Sequence, residues 1–394
     1  MSPDRSHQPF ESFGQALASP RPDEDDLRTR RPAHRGASPR SVTLVVSLLV
    51  TAVVAAVLIV MPTAYAVRTP GPTEDTLGTQ DRGAGQSASE LPLIEISGAD
   101  TYPASGELRL TTVSVYGGPG GDVLLGDVLW GWVSQERSVQ PVEAIFPEPI
   151  TSEEQQEQGQ AQMLSSQESA TVAALTELGY DVPTTMTVVA AAEGTGAEGV
   201  VAEGDVIVSL DGEPLETYPE LLAELDGVSP GDDVVLGVER DGEPLDLTVT
   251  TGQGDDRALL GVLIDPQYDF PVDVTIQIED IGGPSAGTMF ALGIIDLMTP
   301  EDELDGAVVA GTGTMDVDGR VGPIGGIEQK MYGALRDGAG WFLAPSDNCP
   351  QVVGHEPEGL EVVSVATLSE ARAAMEAIGA GDGADLPRCE ADGS

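Results

Sequence analysis

The sequence predicts an α+β body preceded by one transmembrane helix. Three observations lead there. Residues 42–67 form an apolar run without a charged side chain. Beyond it, β-branched stretches are interspersed with stretches of helical periodicity, and such mixing implies an α+β or α/β core. Charge is split around the run. Residues 1–40 carry seven Arg against six acids, whereas residues 68–394 carry 11 basic against 60 acidic side chains.

The run reads VTLVVSLLVTAVVAAVLIVMPTAYAV from Val42 to Val67. About 20 apolar residues cross the hydrocarbon core of a bilayer. The Arg cluster before it (Arg28, Arg30, Arg31, Arg35, Arg40) predicts a cytoplasmic N-terminus, which leaves the acidic body outside the cell membrane. A cleaved signal peptide is the competing reading, because Ala64-Tyr65-Ala66 resembles a cleavage site. The run is longer than a signal core, which favours an uncleaved anchor. Residues 1–41, rich in Pro, Ser, Arg and Asp, are expected to be a disordered cytoplasmic tail. Residues 68–90 are expected to be an extended linker.

In the body, Leu108–Tyr116 is β-branched and roughly alternating, so it is read as a strand. Val123–Val133 is apolar and is expected to hold another. Ser152–Gly179 has helical apolar spacing and a closing glycine. Residues 183–253 look like a self-contained small domain. A strand at Thr187–Ala191 is followed by a strand that ends in an Asp211-Gly212 turn. Tyr218–Leu225 is a short helix, and Asp233–Arg240 and Leu245–Thr251 are strands joined by Asp241-Gly242. That dipeptide is the clearest hairpin signal in the chain. Residues 254–378 are expected to mix strands (259–263, 274–278, 307–311, 341–344, 360–365) with helices (284–298, 327–337, 368–377). Residues 379–394 read as a polar tail.

Composition excludes several classes of function. A net charge of −48 argues against a nucleic-acid partner, because phosphate would be repelled. Two Cys and three His cannot build a zinc-finger array. Asp316 and Asp318 lack the full calcium-binding loop and read as solvated carboxylates. No cofactor or metal is expected. The single lysine, Lys330, sits between Gln329 and Met331, so this chain cannot supply the Gly-Lys-Ser/Thr of an ATP-binding P-loop.

The sharpest chemical signal is Gly282-Gly283-Pro284-Ser285-Ala286-Gly287 at the mouth of an apolar helix. Glycines let backbone N–H groups approach a ligand, and a helix N-terminus favours developing negative charge. A serine there is placed to act as a nucleophile beside a main-chain oxyanion hole. The plainer reading is an ordinary serine near a helix start. A serine nucleophile needs a base. His355 lies in a turn-like stretch beyond the apolar run, whereas His7 and His34 precede it. The other candidate is Lys330, in GPIGGIEQK, whose neighbours Ile324 and Ile327 could desolvate an amine. Burial must lower a lysine pKa by several units before it can accept a proton. Arginine cannot do this, and the chain uses Arg at its 17 other basic positions. A solvated surface lysine is the alternative.

GGPSAG, followed by GPIGGIEQK, resembles the proteolytic domain of Lon-type serine peptidases, which use a Ser-Lys dyad. The small domain at 183–253 resembles a PDZ domain, through AEGDVI (202–207), the Asp211-Gly212 turn, the helix and the final hairpin. The family's carboxylate-binding loop would precede the first strand, and Tyr180–Thr185 shows nothing like it. Together the features resemble PDZ-containing Lon-like proteases of Gram-positive bacteria and actinobacteria. Supporting stretches are PGPTEDTLG (70–78), GELRLTTVSVY (106–116), MLSSQESA (163–170), GTGTMDVDG (311–319) and FLAPSDNC (342–349).

The resemblance implies a Lon-type domain, residues 91–182 and 254–378, interrupted by the PDZ-like domain. It implies Ser285 as nucleophile, Lys330 as general base and Thr312 orienting the lysine, with Gly283 and Pro284 in support. It implies polypeptide substrates, ATP-independent cleavage of unfolded or flexible segments, and a homo-oligomer, hexameric in Lon-like domains; the PDZ-like domain can capture peptides by strand addition beside its helix, with a purely structural insert as the alternative. The rival readings are a non-catalytic PDZ scaffold and a protein that processes only itself. Cys349 and Cys389 fall in the part expected outside, where a disulfide pinning the tail can form. Free thiols are the alternative.

Overall fold

The computed structural model describes residues 38–80, 91–146, 151–254, 257–278 and 281–390. The disordered reading of the N-terminal tail falls, for residues 1–37, outside the described residues. So do residues 81–90 of the expected linker and the last four residues of the tail.

The apolar run forms one helix, Pro39–Ile59, long and apolar enough to cross a membrane. It stops short of the expected Val67. Proline disfavours a helical conformation in the residue before it, and Pro62 follows.

The body carries a six-stranded sheet in the order Glu361–Val365, Trp341–Pro345, Val308–Gly311, Glu107–Tyr116, Tyr65–Asp75, Ser138–Pro141. The first four strands run parallel, and the last two join antiparallel. Side chains alternate across this sheet as the strand period demands. Val309, Leu343 and Val363 point to one face, with Leu108 and Leu110. Ala310, Phe342, Ala344 and Val362 point to the other. The first face packs on the helix Gly287–Met298, buried along most of its length, and on the helices Ser152–Glu177 and Leu368–Gly379. The second packs on Ile327, Met331 and Ala334 of the helix Ile327–Arg336. An apolar sheet sandwiched between helices is thus the core of the body.

Two expectations are corrected here and a third is sharpened. Residues 68–75 are not linker: Tyr65–Asp75 is a strand with neighbours on both sides. Pro70, Gly71 and Pro72 disguised it, and the ladder accommodates them by a register shift between Pro70 and Thr73. Val123–Val133 holds only a two-residue strand, Val123–Leu124, and continues as the helix Leu125–Val133. Its Val128 and Gly131 face inward, onto a small cluster with Val67 and Val123. The expected polar tail, 379–394, is held against the body in its described part. Leu386 packs on the core, Pro387 accepts a hydrogen bond from the Ser364 N–H, and Cys389 is joined to Cys349.

The small domain has its own core, centred on Met186, Ile207, Leu221, Leu236 and Val249. Its helix Tyr218–Asp226 starts with a capping box, in which Thr217 and Glu220 satisfy each other's backbone N–H groups. Asp241 and Gly242 both take positive φ, as the two-residue turn between Asp233–Arg240 and Glu243–Thr250 requires. Its sheet does not end at residue 253. Val262–Tyr268 pairs antiparallel with Thr184–Ala191 and forms the edge strand. Leu260-Gly261-Val262 leads into that edge strand.

Candidate active site

The sheet brings the two candidate residues together from opposite faces. Ser285 precedes the helix on one face, and Lys330 lies in the helix on the other. They meet where the parallel strand Val308–Gly311 ends and Thr312 follows. Ligand sites of open α/β sheets gather at the carboxyl ends of such strands.

Gly326 takes φ +74° at the start of the lysine helix, a turn that a side chain would strain. One helical turn further on, Lys330 points inward and is 2% exposed. Its Nζ donates to Ser285 Oγ at 2.7 Å and to Thr312 Oγ1 at 2.7 Å. Both partners are neutral hydroxyls. Burial therefore acts uncompensated and lowers the lysine pKa from 10.5 to about 7. Ser285 itself is half-buried and lines a cleft of about 500 Å³ with Lys330, Thr111 and Tyr116. A hydroxyl that opens onto the cleft thus touches an amine that is almost wholly buried. The arrangement can move a proton between Oγ and Nζ near neutral pH.

Thr312 is fully buried, and its hydroxyl donates to the Ser285 carbonyl at 2.9 Å. The Gly313 N–H donates to the same carbonyl at 3.0 Å. These two bonds fix the serine backbone while Thr312 Oγ1 holds the amine. The Gly283 N–H is bonded to the Gly159 carbonyl at 2.9 Å, so it is committed to the scaffold. Ser166 Oγ donates to the Pro284 carbonyl at 3.0 Å.

Gly159 and Ser166 were missed by sequence reasoning. Gly159 approaches Gly282 so closely that a Cβ on Gly282 would lie 3.2 Å from the Gly159 backbone. A glycine inside a helix costs about 1 kcal/mol relative to alanine, and that cost was the available signal. His355 is exposed in its turn and lines neither cleft. Asp318 pairs with Arg257 and Arg320. Arg320 also grips Asp226 of the small domain through both carboxylate oxygens at 2.7 Å.

A second cleft, of about 1230 Å³, adjoins the first through Met163, Ile281, Gly282 and Gly283. Gln155, Gln158 and Gln162 line it together with Ile276 and Ile278. Among the described residues none of its lining side chains is charged.

The comparisons with known proteins fall on the same two regions. The model of the Lon protease C-terminal proteolytic domain matches residues 276–375, which include Ser285, Thr312 and Lys330. The PDZ domain model matches residues 164–251. Lon protease of Lachnoclostridium phytofermentans is 38% identical over 91 residues, 22% of this chain and 11% of that protein. Lon protease 2 of Bacillus subtilis is 36% identical over 107 residues, 25% of this chain and 18% of that protein. The chain thus spans less than a fifth of these relatives. Among solved structures, the PDZ domain of the SdrC-like protein from Listeria monocytogenes aligns at 16% identity, covering 20% of this chain and 86% of that one, with a TM-score of 0.19. A Geobacillus thermodenitrificans protein aligns at 22% identity, over 20% and 94%, also with a TM-score of 0.19. One polypeptide thus carries a match to the PDZ domain model and, after it, a match to the Lon proteolytic domain model, and in this it is similar to PDZ-containing Lon-like proteases.

Proposed function

We propose that the chain is a membrane-anchored, ATP-independent serine endopeptidase of Lon type, acting outside the cell membrane on unfolded or flexible polypeptide segments. The observation that carries this reading is the 2.7 Å contact between Ser285 Oγ and a buried Lys330 amine whose pKa lies near 7.

In the mechanism, Lys330 is neutral and its lone pair accepts the Ser285 proton as Oγ attacks a peptide carbonyl. The Gly283 N–H is already spent on Gly159, so the N–H groups of Ser285 and Ala286, at the start of the helix Gly287–Met298, would hold the oxyanion. Lys330 then gives the proton to the leaving amine, and water resolves the acyl-enzyme. The cleft beside the site, uncharged among the described residues, suits neutral stretches of an extended chain. The lone lysine is engaged with Ser285, so this chain has none to place in a P-loop, which supports ATP-independence. The helix Pro39–Ile59 supports the anchor, and the preceding Arg cluster supports the orientation.

The test is casein hydrolysis without ATP. Ser285→Ala and Lys330→Ala should each abolish it, and so should Lys330→Arg, which keeps the charge but cannot act as a base. Hydrolysis by either alanine variant at the wild-type rate would sink the reading. Activity of the unaltered chain should rise with pH through about 7, as Lys330 loses its proton.

A further inference from the structure

We propose that the helix Leu125–Val133 lies in the interfacial zone of a zwitterionic phospholipid bilayer, as a second membrane contact of the chain. This rests on the reading of Pro39–Ile59 as a membrane span.

The helix turns Val128 and Gly131 inward and everything apolar that remains outward. Leu129 is 47% exposed, Trp130 60%, Trp132 59% and Val133 75%. These residues are consecutive around the outer face, so they form one patch rather than scattered apolar positions. Contiguous patches of this kind mark interaction sites. Two of the three tryptophans of the chain lie on this helix. Tryptophan and tyrosine combine an apolar ring with a polar tip, and they concentrate where hydrocarbon meets water. Tyrosines complete the cluster: Tyr65 meets Trp132 edge-on at 6.1 Å. Tyr116, 59% exposed, ends the strand that pairs with the Tyr65–Asp75 strand at Val67.

Chain continuity says what covers the patch. The helix Pro39–Ile59 ends at Ile59. Two residues later the Met61 carbonyl already accepts the Leu125 N–H at 2.8 Å. Pro62 and Thr63 then pair with Leu124 and Val123. Two residues span at most about 7 Å. A chain that leaves the hydrocarbon at Ile59 therefore delivers the start of this helix to headgroup depth. The one charge on the helix, Asp127, is acidic and sits in its first turn. An acidic body and an uncharged aromatic face fit a neutral lipid interface better than an anionic one.

The experiment uses the full chain in phosphatidylcholine vesicles, with or without bromine on the shallow acyl carbons. Brominated lipid should quench the tryptophan emission. The double variant Trp130→Ser, Trp132→Ser should lose that quenching, leaving the emission of Trp341, which lies against Arg388 in the body. Flotation on a density gradient separates the two readings. Chains that float with vesicles but emit equally in both lipids overturn this proposal and leave the anchor standing. Chains that do not float overturn the anchor and this proposal with it. Equal emission together with cross-linking between copies through Leu129→Cys would assign the patch to a second copy instead, and overturn it.

Discussion

The PDZ domain and the proteolytic domain each bury a charged side chain, and they treat it oppositely. In the PDZ domain Asp205 is fully buried, and Arg240 Nε and Nη2 each donate to one of its oxygens at 2.7 Å. The Ala202 N–H adds a third bond. The Arg240 hydrogen bonds hold the carboxyl below its ordinary pKa, so it stays charged. In the proteolytic domain Lys330 meets two hydroxyls and burial drives it toward neutrality. A compensated buried charge is architecture. An uncompensated one weakens the fold, and its survival points to chemistry.

The largest expected effect tests the uncompensated side. Lys330→Met should lower hydrolysis by on the order of 10⁴-fold or more. It should also stabilise the protein. Folded Lys330 titrates near 7 and unfolded lysine near 10.5. Between those values the unfolded state binds more protons, so wild-type stability rises with pH. Below about 7 both states are protonated and the full deficit of wild type persists, at most about 5 kcal/mol. The advantage of the variant should thus be greatest below pH 7 and vanish above 10.5. Denaturant unfolding at a series of pH values checks this, and no gain at pH 6 would break the comparison.

Asp205→Ala tests the compensated side. It should cost about 3 kcal/mol, the low end for a broken buried pair, because Arg240 can turn to solvent. Hydrolysis below the unfolding transition should be unchanged. The contribution of Asp205 should persist above the usual carboxylate range and fade only as pH falls through its lowered pKa. A loss of turnover without a loss of stability would contradict its purely structural role.

Thr312→Val sharpens the lysine side further. Losing the hydroxyl that accepts from Nζ disfavours the ammonium form, so the midpoint of the kcat/KM profile should move below that of wild type. A decrease in kcat of roughly tenfold should accompany it, the worth of about one hydrogen bond. A merely structural threonine would leave the midpoint in place.

The smallest effect is expected at Asp296. It is 2% exposed, and burial raises its pKa to about 6. The Glu303 N–H donates to its Oδ1 at 3.2 Å, so it is partly compensated, and it lies near the far end of the helix Gly287–Met298 from Ser285. The folded state holds its proton more tightly, so its penalty is full above about pH 6 and gone below about 4. Asp296→Asn should gain at most about 1 kcal/mol at pH 8, because its new amide N–H₂ replaces an oxygen that has no partner among the described residues. Activity should be unchanged. Lost activity would extend the catalytic region along the helix.

The same contrast governs what was legible in the sequence. The PDZ domain is built largely from neighbours in the chain, and its local signals, Asp241-Gly242 and Thr217 with Glu220, named their elements. The six-stranded sheet draws strands from residue 65 to residue 365, and those signals fail over such distances. Pro70 and Pro72 hid one strand, and Pro266 lies within the PDZ edge strand. Edge strands and register shifts tolerate proline, but neither is visible before the pairing is known. Lys330 was readable because it is the one lysine of the chain, and Ser285 because it stands in GGPSAG at the mouth of an apolar helix. Gly159 and Ser166 act through backbone contacts with Gly283 and Pro284, which no local pattern announces.

The strand Tyr65–Asp75 also bears on the cleaved-signal reading of the apolar run. A signal peptidase acting at Ala64-Tyr65-Ala66 would cut before Val67. In the folded protein Ala66 is fully buried and pairs with Gln140, and Val67 lies between Tyr116 and Val139. A peptidase needs an extended, accessible segment there, and the closed sheet offers none. Cutting would also create a charged amino group at a position 2% exposed, which a buried sheet disfavours. Any cut at that bond would have to precede folding, and once the sheet has closed the helix Pro39–Ile59 and the body stay one molecule.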